Sequence, residues 1–139
     1  MKIKIAIGLF SMFLFVLSVN AQQKSSEILG TWKLVSYKYG ERDIQFANDS
    51  IQRIKLVTPT HFTWIHYTTK DQIIEESAGG TYIFDGSNYV ENIGFGGYTM
   101  RAYFNKKQAY KLKIENGKMY LFGVMTDNQR IEEIWEKIE

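Results

Sequence analysis

The sequence has no cysteine, one proline and two histidines in 139 residues. Without thiols no disulfide framework can staple the fold, so stability must come from burial and backbone pairing. No cysteine follows the apolar run near the amino terminus, which excludes bacterial-type lipid attachment there. Segments of helical period are almost absent too. Two catalytic signatures are also missing. The run Gly94-Phe95-Gly96-Gly97 fails Gly-x-Gly-x-x-Gly because position 99 is a threonine, and Ser87 lies in an Asp-Gly-Ser-Asn turn with no Gly-x-Ser-x-Gly elbow. Neither nucleotide binding nor serine hydrolysis is indicated.

Charge of one sign is missing as well, once its location is considered. The formal net charge is +2, and Lys2 and Lys4 account for that excess, leaving 15 basic against 15 acidic residues in 22–139. A balanced chain lacks the clustered lysine and arginine that a nucleic-acid partner needs. Lys2 and Lys4 open a segment in which Ile5 to Val19 is almost wholly apolar, and Val19-Asn20-Ala21 places small or modest side chains before Gln22. The run is shorter than the roughly 20 residues of a membrane span. Residues 1–21 are therefore predicted to be a signal peptide, and 22–139 one exported domain, periplasmic or extracellular, with no stable membrane span after cleavage.

What is abundant in 22–139 is aromatic and β-branched residues, with turn signals at short spacing. Strands are predicted at Gly30–Tyr39, Ile51–Thr58, His61–Tyr67, Gln72–Phe84, Asn88–Ile93, Ala109–Glu115, Lys118–Met125 and Arg130–Ile138. Asp85-Gly86 and Asn116-Gly117 are strong hairpin signals. Gly79-Gly80 inside a strand pattern reads as a bulge or sharp bend. Asp43–Ser50 is expected to be a loop or a helical turn, and Met100–Phe104 a short strand or a lid segment. Eight or nine antiparallel strands joined by short turns predict an all-β fold, an up-and-down barrel whose closure removes exposed edges.

Gly30-Thr31-Trp32 at the start of the first strand resembles the Gly-x-Trp placement of lipocalins and their calycin relatives. Further along come Thr60-His61-Phe62-Thr63-Trp64, Gly79-Gly80-Thr81-Tyr82, Tyr89-Val90-Glu91 and Glu133-Ile134-Trp135-Glu136-Lys137. With these the chain resembles small secreted lipocalin-like proteins of Gram-negative bacteria, a group with no settled activity. The resemblance implies a calycin-like barrel whose interior can hold a small ligand. It also implies that Trp32 packs at the closed barrel end against a cation from the final strand, Lys137 or, as the weaker match, Arg130.

His61 and His66 share one predicted strand at an odd separation, so they face opposite sides and cannot ligate one metal from it. No metal and no cofactor are expected. Glu91 sits between Tyr89 and Ile93 at period two, so it is either buried with a partner (Arg101, a tyrosine or a histidine) or exposed beside a tyrosine. The adjacent pairs Glu75-Glu76 and Glu132-Glu133 face apart on strands and read as surface charge. Rings from Trp64, Tyr82, Phe84, Tyr89, Tyr103, Tyr120 and Phe122 converge on one barrel. Buried tyrosine hydroxyls need partners, which favours a semi-polar cavity over a filled core.

The sequence thus predicts a barrel that binds a small, largely apolar or aromatic molecule, with His61, Trp64, Tyr82, Tyr89, Glu91 and Arg101 as ligand contacts. Gly30, Trp32 and Lys137 are assigned structural roles. Two rivals stand beside it: a calycin-like isomerase or cyclase using a buried histidine or glutamate, and a solid-core domain that inhibits or scaffolds another envelope protein.

Overall fold

The computed structural model describes residues 26–139. The predicted signal segment 1–21 lies outside the described residues. The chain forms strands β1 (Gly30–Tyr39), β2 (Gln45–Phe46), β3 (Ile51–Val57), β4 (His61–Thr68), β5 (Ile74–Phe84) and β6 (Asn88–Gly96), then a 3-10 helix (Tyr98–Tyr103), then β7 (Lys107–Glu115), β8 (Lys118–Val124) and β9 (Arg130–Lys137). Each strand pairs antiparallel with its neighbour, and β1 pairs with both β3 and β9, so eight strands close into a barrel. The extra strand, β2, adds to β1 through Ser36 and Tyr37, within the stretch expected to be a loop or helical turn. Among the described residues no helix is long and apolar enough to cross a membrane.

Turn chemistry sets the hairpins. Asn116 and Gly117, both at positive φ (53° and 72°), join β7 to β8 as the type I′ geometry requires. At Asp85 the side chain accepts the Ser87 and Asn88 amides at 3.0 and 2.7 Å, which caps the β5–β6 turn.

Register shifts occur on three ladders, at His66/Tyr67 between β4 and β5 and at two further places that re-aim side chains. In β1 the register against β9 shifts between Leu34 and Ser36. A strict alternation would put Ser36 with Trp32 and Leu34; instead Tyr37 and Tyr39 stand opposite Glu133 and Ile131 on the inner face. The second bulge lies between Gly79 and Gly80, against Phe95 and Ile93 of β6. Here a Cβ on Gly80 would lie 2.0 Å from the Asn92 carbonyl oxygen, so backbone approach itself demands glycine.

The barrel is packed at one end. Trp32, Trp135, Tyr89, Phe62 and Met119 are fully buried there, together with Ile28. The Trp32 indole N–H donates to the Ile28 carbonyl at 2.9 Å, and the Lys137 ammonium lies 5.3 Å from the indole centroid. This is the cation placement implied by the resemblance. Tyr120 and Phe122 do not join this interior. On β8 it is Met119 and Leu121 that face inward, and Phe122 is 48% exposed.

At the other end β6 and β7 pair over only five positions, Asn88–Asn92 with Lys107–Lys111. The 3-10 helix crosses the gap, so the segment expected as a strand or lid takes the lid position. Tyr103 anchors it by donating to Asp127 at 2.5 Å in the β8–β9 turn.

Gly80→Ala should lower the unfolding free energy by about 3 kcal/mol through overpacking. Gly117→Ala, strained only by its positive φ, should cost about 1–2 kcal/mol. Urea denaturation measures both, and an equal cost would show that the β5–β6 approach is not tight.

Candidate functional site

Inward-facing residues of β3, β4 and β5 align in cross-strand rows: Lys55 with Trp64 and Ala78, and Arg53 with His66 and Glu76. Sequence reasoning missed the first member of each row. The signal was present, since Arg53, Lys55 and Val57 share one face of Ile51–Val57, but a cationic inner face contradicts the usual apolar-in pattern.

Lys55 and Glu91 form an ion pair of 2.9 Å, with side chains only 4% and 5% exposed. Glu91 is therefore the buried alternative of its two readings; its charge partner is Lys55 rather than Arg101 or a histidine, with the Tyr89 hydroxyl beside it. The ammonium also lies 5.2–5.6 Å from the ring centroids of Phe62, Tyr89 and Trp135. Aromatic faces replace part of its lost hydration. Beside the pair, burial followed by the Glu91 charge pushes the Tyr89 hydroxyl well above its ordinary range.

A second cluster sits nearer the mouth. Tyr39 donates to Glu133 Oε1 at 2.6 Å, and the Trp135 indole donates to Glu133 Oε2 at 3.0 Å. Arg53 Nη1 donates to the Tyr39 hydroxyl and approaches Glu133 at 3.6 Å, while its guanidinium lies 5.1 Å from the Trp64 centroid. Burial, then the Glu133 charge, raises the Tyr39 hydroxyl far above its ordinary range, so it remains a donor. Glu133, read from sequence as surface charge, is buried. The β8–β9 pairing turns it inward opposite Leu121, while Glu132 stays outside. Glu76 likewise turns inward, and Glu75 is exposed.

These groups line a cavity of about 210 Å³ below the 3-10 helix, with Trp64, Ile93, Met100, Tyr103, Gln108, Tyr110 and Met125 among its walls. Of the predicted ligand contacts, Trp64 and Glu91 reach it. Tyr82 and Tyr89 belong to the packed end, where Tyr82 donates to the Thr58 carbonyl at 2.8 Å. His61 is exposed beside Thr60, since Phe62 takes the inward parity. Arg101 is exposed on the 3-10 helix, 5.2 Å from the Tyr98 centroid. Neither reaches the interior.

His66 is the histidine on the inner face. Its Nδ1 lies 3.5 Å from Arg53 Nη2. A guanidinium only donates, so the proton sits on Nε2. Burial and the Arg53 charge lower its affinity for a second proton.

Among the described residues the buried side-chain atoms without a hydrogen-bond partner are Arg53 Nε, His66 Nε2, Thr68 Oγ1, Glu76 Oε1 and Tyr89 Oη. The first four lie on β3, β4 and β5, and three of them form the row Arg53–His66–Glu76. A larger concavity, about 500 Å³, lies on the outer wall beside Ile44, Tyr120, Phe122 and Val124. It lacks such converging buried polar groups, so the interior cavity is the candidate site.

The chain matches no protein-family model and no curated protein sequence. Its structure is similar to a lipocalin-like protein from Bacteroides uniformis (TM-score 0.58, 15% identity, covering 81% of this chain and 99% of that one). It is also similar to an uncharacterized protein from Bacteroides eggerthii (TM-score 0.53, 14% identity, 78% and 98% covered). A redesigned β-barrel gives TM-score 0.53 at 15% identity, with 84% and 96% covered. At these identities the likeness establishes the fold, a lipocalin-like antiparallel barrel.

Lys55→Met or Glu91→Leu alone should destabilise by about 3–5 kcal/mol, because each leaves a buried charge unpaired. The double variant should recover most of that loss. A double-mutant cycle by urea denaturation checks this, and additive losses would mean the two charges are not coupled.

Proposed function

We propose that this protein is an exported lipocalin-like carrier that binds one small molecule in the mouth cavity without transforming it. The observation carrying this reading is that two members of the row, Arg53 and Glu76, line an aromatic-walled cavity with buried Nε and Oε1 atoms that find no protein partner. Buried polar groups are nearly always satisfied. A ligand that supplies the missing partners accounts for the row, and a filled core does not.

The cavity bounds the ligand. About 210 Å³ lies below the roughly 300–1,000 Å³ of drug-sized sites, so the guest is small. Trp64, Tyr103, Met100 and Met125 offer it apolar contact. Five ionisable side chains on the same walls favour a guest with polar groups, a more polar molecule than sequence alone indicates. The acid–base alternative uses a buried histidine or glutamate, and a histidine–glutamate hydrogen bond inside the cavity would favour it. Glu91 bonds Lys55 and His66 faces Arg53, so binding is the better-supported reading. Export rests on the amino-terminal segment, with Lys2, Lys4 and the apolar run that follows.

Native mass spectrometry of the protein purified from its own host should show a co-purified molecule of low mass. Ligand release should change the fluorescence of Trp64, on the cavity wall, and Trp64→Phe should remove most of that change. Protein that carries no guest and whose fluorescence ignores a panel of small polar aromatics would defeat the proposal. The outer groove at Ile44, Phe122 and Val124 would then be the surface to pursue.

A further inference from the structure

The formal charges lining the cavity are unequal. Arg53 and Lys55 face three carboxylates, Glu76, Glu91 and Glu133. Two of the three are engaged: Glu91 by Lys55 at 2.9 Å, and Glu133 by Tyr39, Trp135 and the nearby Arg53. Glu76 is left over, and its Oε1 is buried without a hydrogen bond.

Donors lie nearby, but none of them bonds this oxygen. The Gly97 backbone packs over this oxygen, since a Cβ there would lie 2.4 Å from it. Yet the Gly97 amide donates to the Ser77 carbonyl at 2.8 Å and is not offered to the carboxylate. His66, the cross-strand neighbour of Glu76, directs Nε2 toward Glu75 Oε2, 3.9 Å away. A carboxylate oxygen taken out of water with neither cation nor donor costs several kcal/mol, and a ligand can supply both. Aromatic and thioether surfaces from Trp64, Tyr103 and Met100 flank it inside the same cavity.

We infer that the cavity takes a small organic cation: a protonated amine on an aromatic or apolar body, its N–H donors held by Glu76. This rests on the reading of the cavity as a ligand site and specifies the ligand's charge. An anionic guest would meet an excess of negative charge, because Arg53 and Lys55 already have carboxylate partners. A neutral guest could fill the apolar walls and donate to Glu76, but would leave its charge without a counter-ion.

The test uses three probes with one body and different heads: 3-phenylpropylamine, 3-phenylpropanol and 3-phenylpropanoate. Titration calorimetry on the purified protein should rank the amine at least tenfold above the other two. Glu76→Gln should abolish that preference. Glu75→Gln, on the exposed face of the same strand, should keep the preference, which separates a local contact from a general charge effect. Carboxylate binding as tight as the amine's, or a preference that survives E76Q, would overturn the inference and leave the binding site standing. If none of the three binds, the cavity reading falls and this inference with it. Should E76Q fail to fold, the wild-type ranking decides the question unaided.

Discussion

A lysine and a glutamate held 2.9 Å apart inside a barrel of aromatic rings constrain everything around them. Neither charge can be accommodated in that interior without the other, because unpaired burial would cost several kcal/mol. The rings of Phe62, Tyr89 and Trp135 stand around the ammonium and exclude water from it. Below this layer the barrel is solid, sealed by Trp32, Ile28 and the Lys137 cation. Above it the interior turns polar. The pair thus forms the floor of the cavity and separates a part of the barrel that holds the fold from a part free to meet a ligand.

The mouth is built on the same logic with looser accounting. Glu133 is fully engaged by Tyr39 and Trp135, one hydrogen bond to each carboxylate oxygen. Satisfied groups of this kind hold their geometry and form rigid walls. The row on β3, β4 and β5 is different: its atoms are buried and placed, yet unpaired. Such atoms mark where a protein keeps recognition capacity, because any partner arriving there replaces no existing protein contact. The 3-10 helix above is tied by Tyr103 to Asp127 on an exposed turn and sets Met100 and Tyr103 over the cavity.

Much of the fold was legible in the chain. Strand positions followed from period-two alternation, from the Asp85-Gly86 and Asn116-Gly117 turns and from the paired glycines at 79 and 80. The site was less legible. Trp64 and Glu91 were identified, but Arg53, Lys55, Glu76 and Glu133 were not, because charged residues on strands are read as outward unless something shows otherwise. His61 failed because strand parity, not chemistry, decides whether a residue reaches the interior, and Arg101 because it lies on the exposed side of the 3-10 helix. The β1 bulge shows how little is needed to change parity, since one extra residue carries Tyr37 and Tyr39 to the inner face.

By itself, then, the sequence determined the class of structure, its strand count and its closed end, because local propensity, turn geometry and alternation act over a few neighbouring residues. Only the tertiary structure decided which face of each strand looks inward and which charges meet. Lys55 and Glu91 are 36 positions apart, Tyr39 and Glu133 are 94 apart, and nothing in either neighbourhood names the other. Closure of the barrel brings them together, and burial then makes their pairing obligatory.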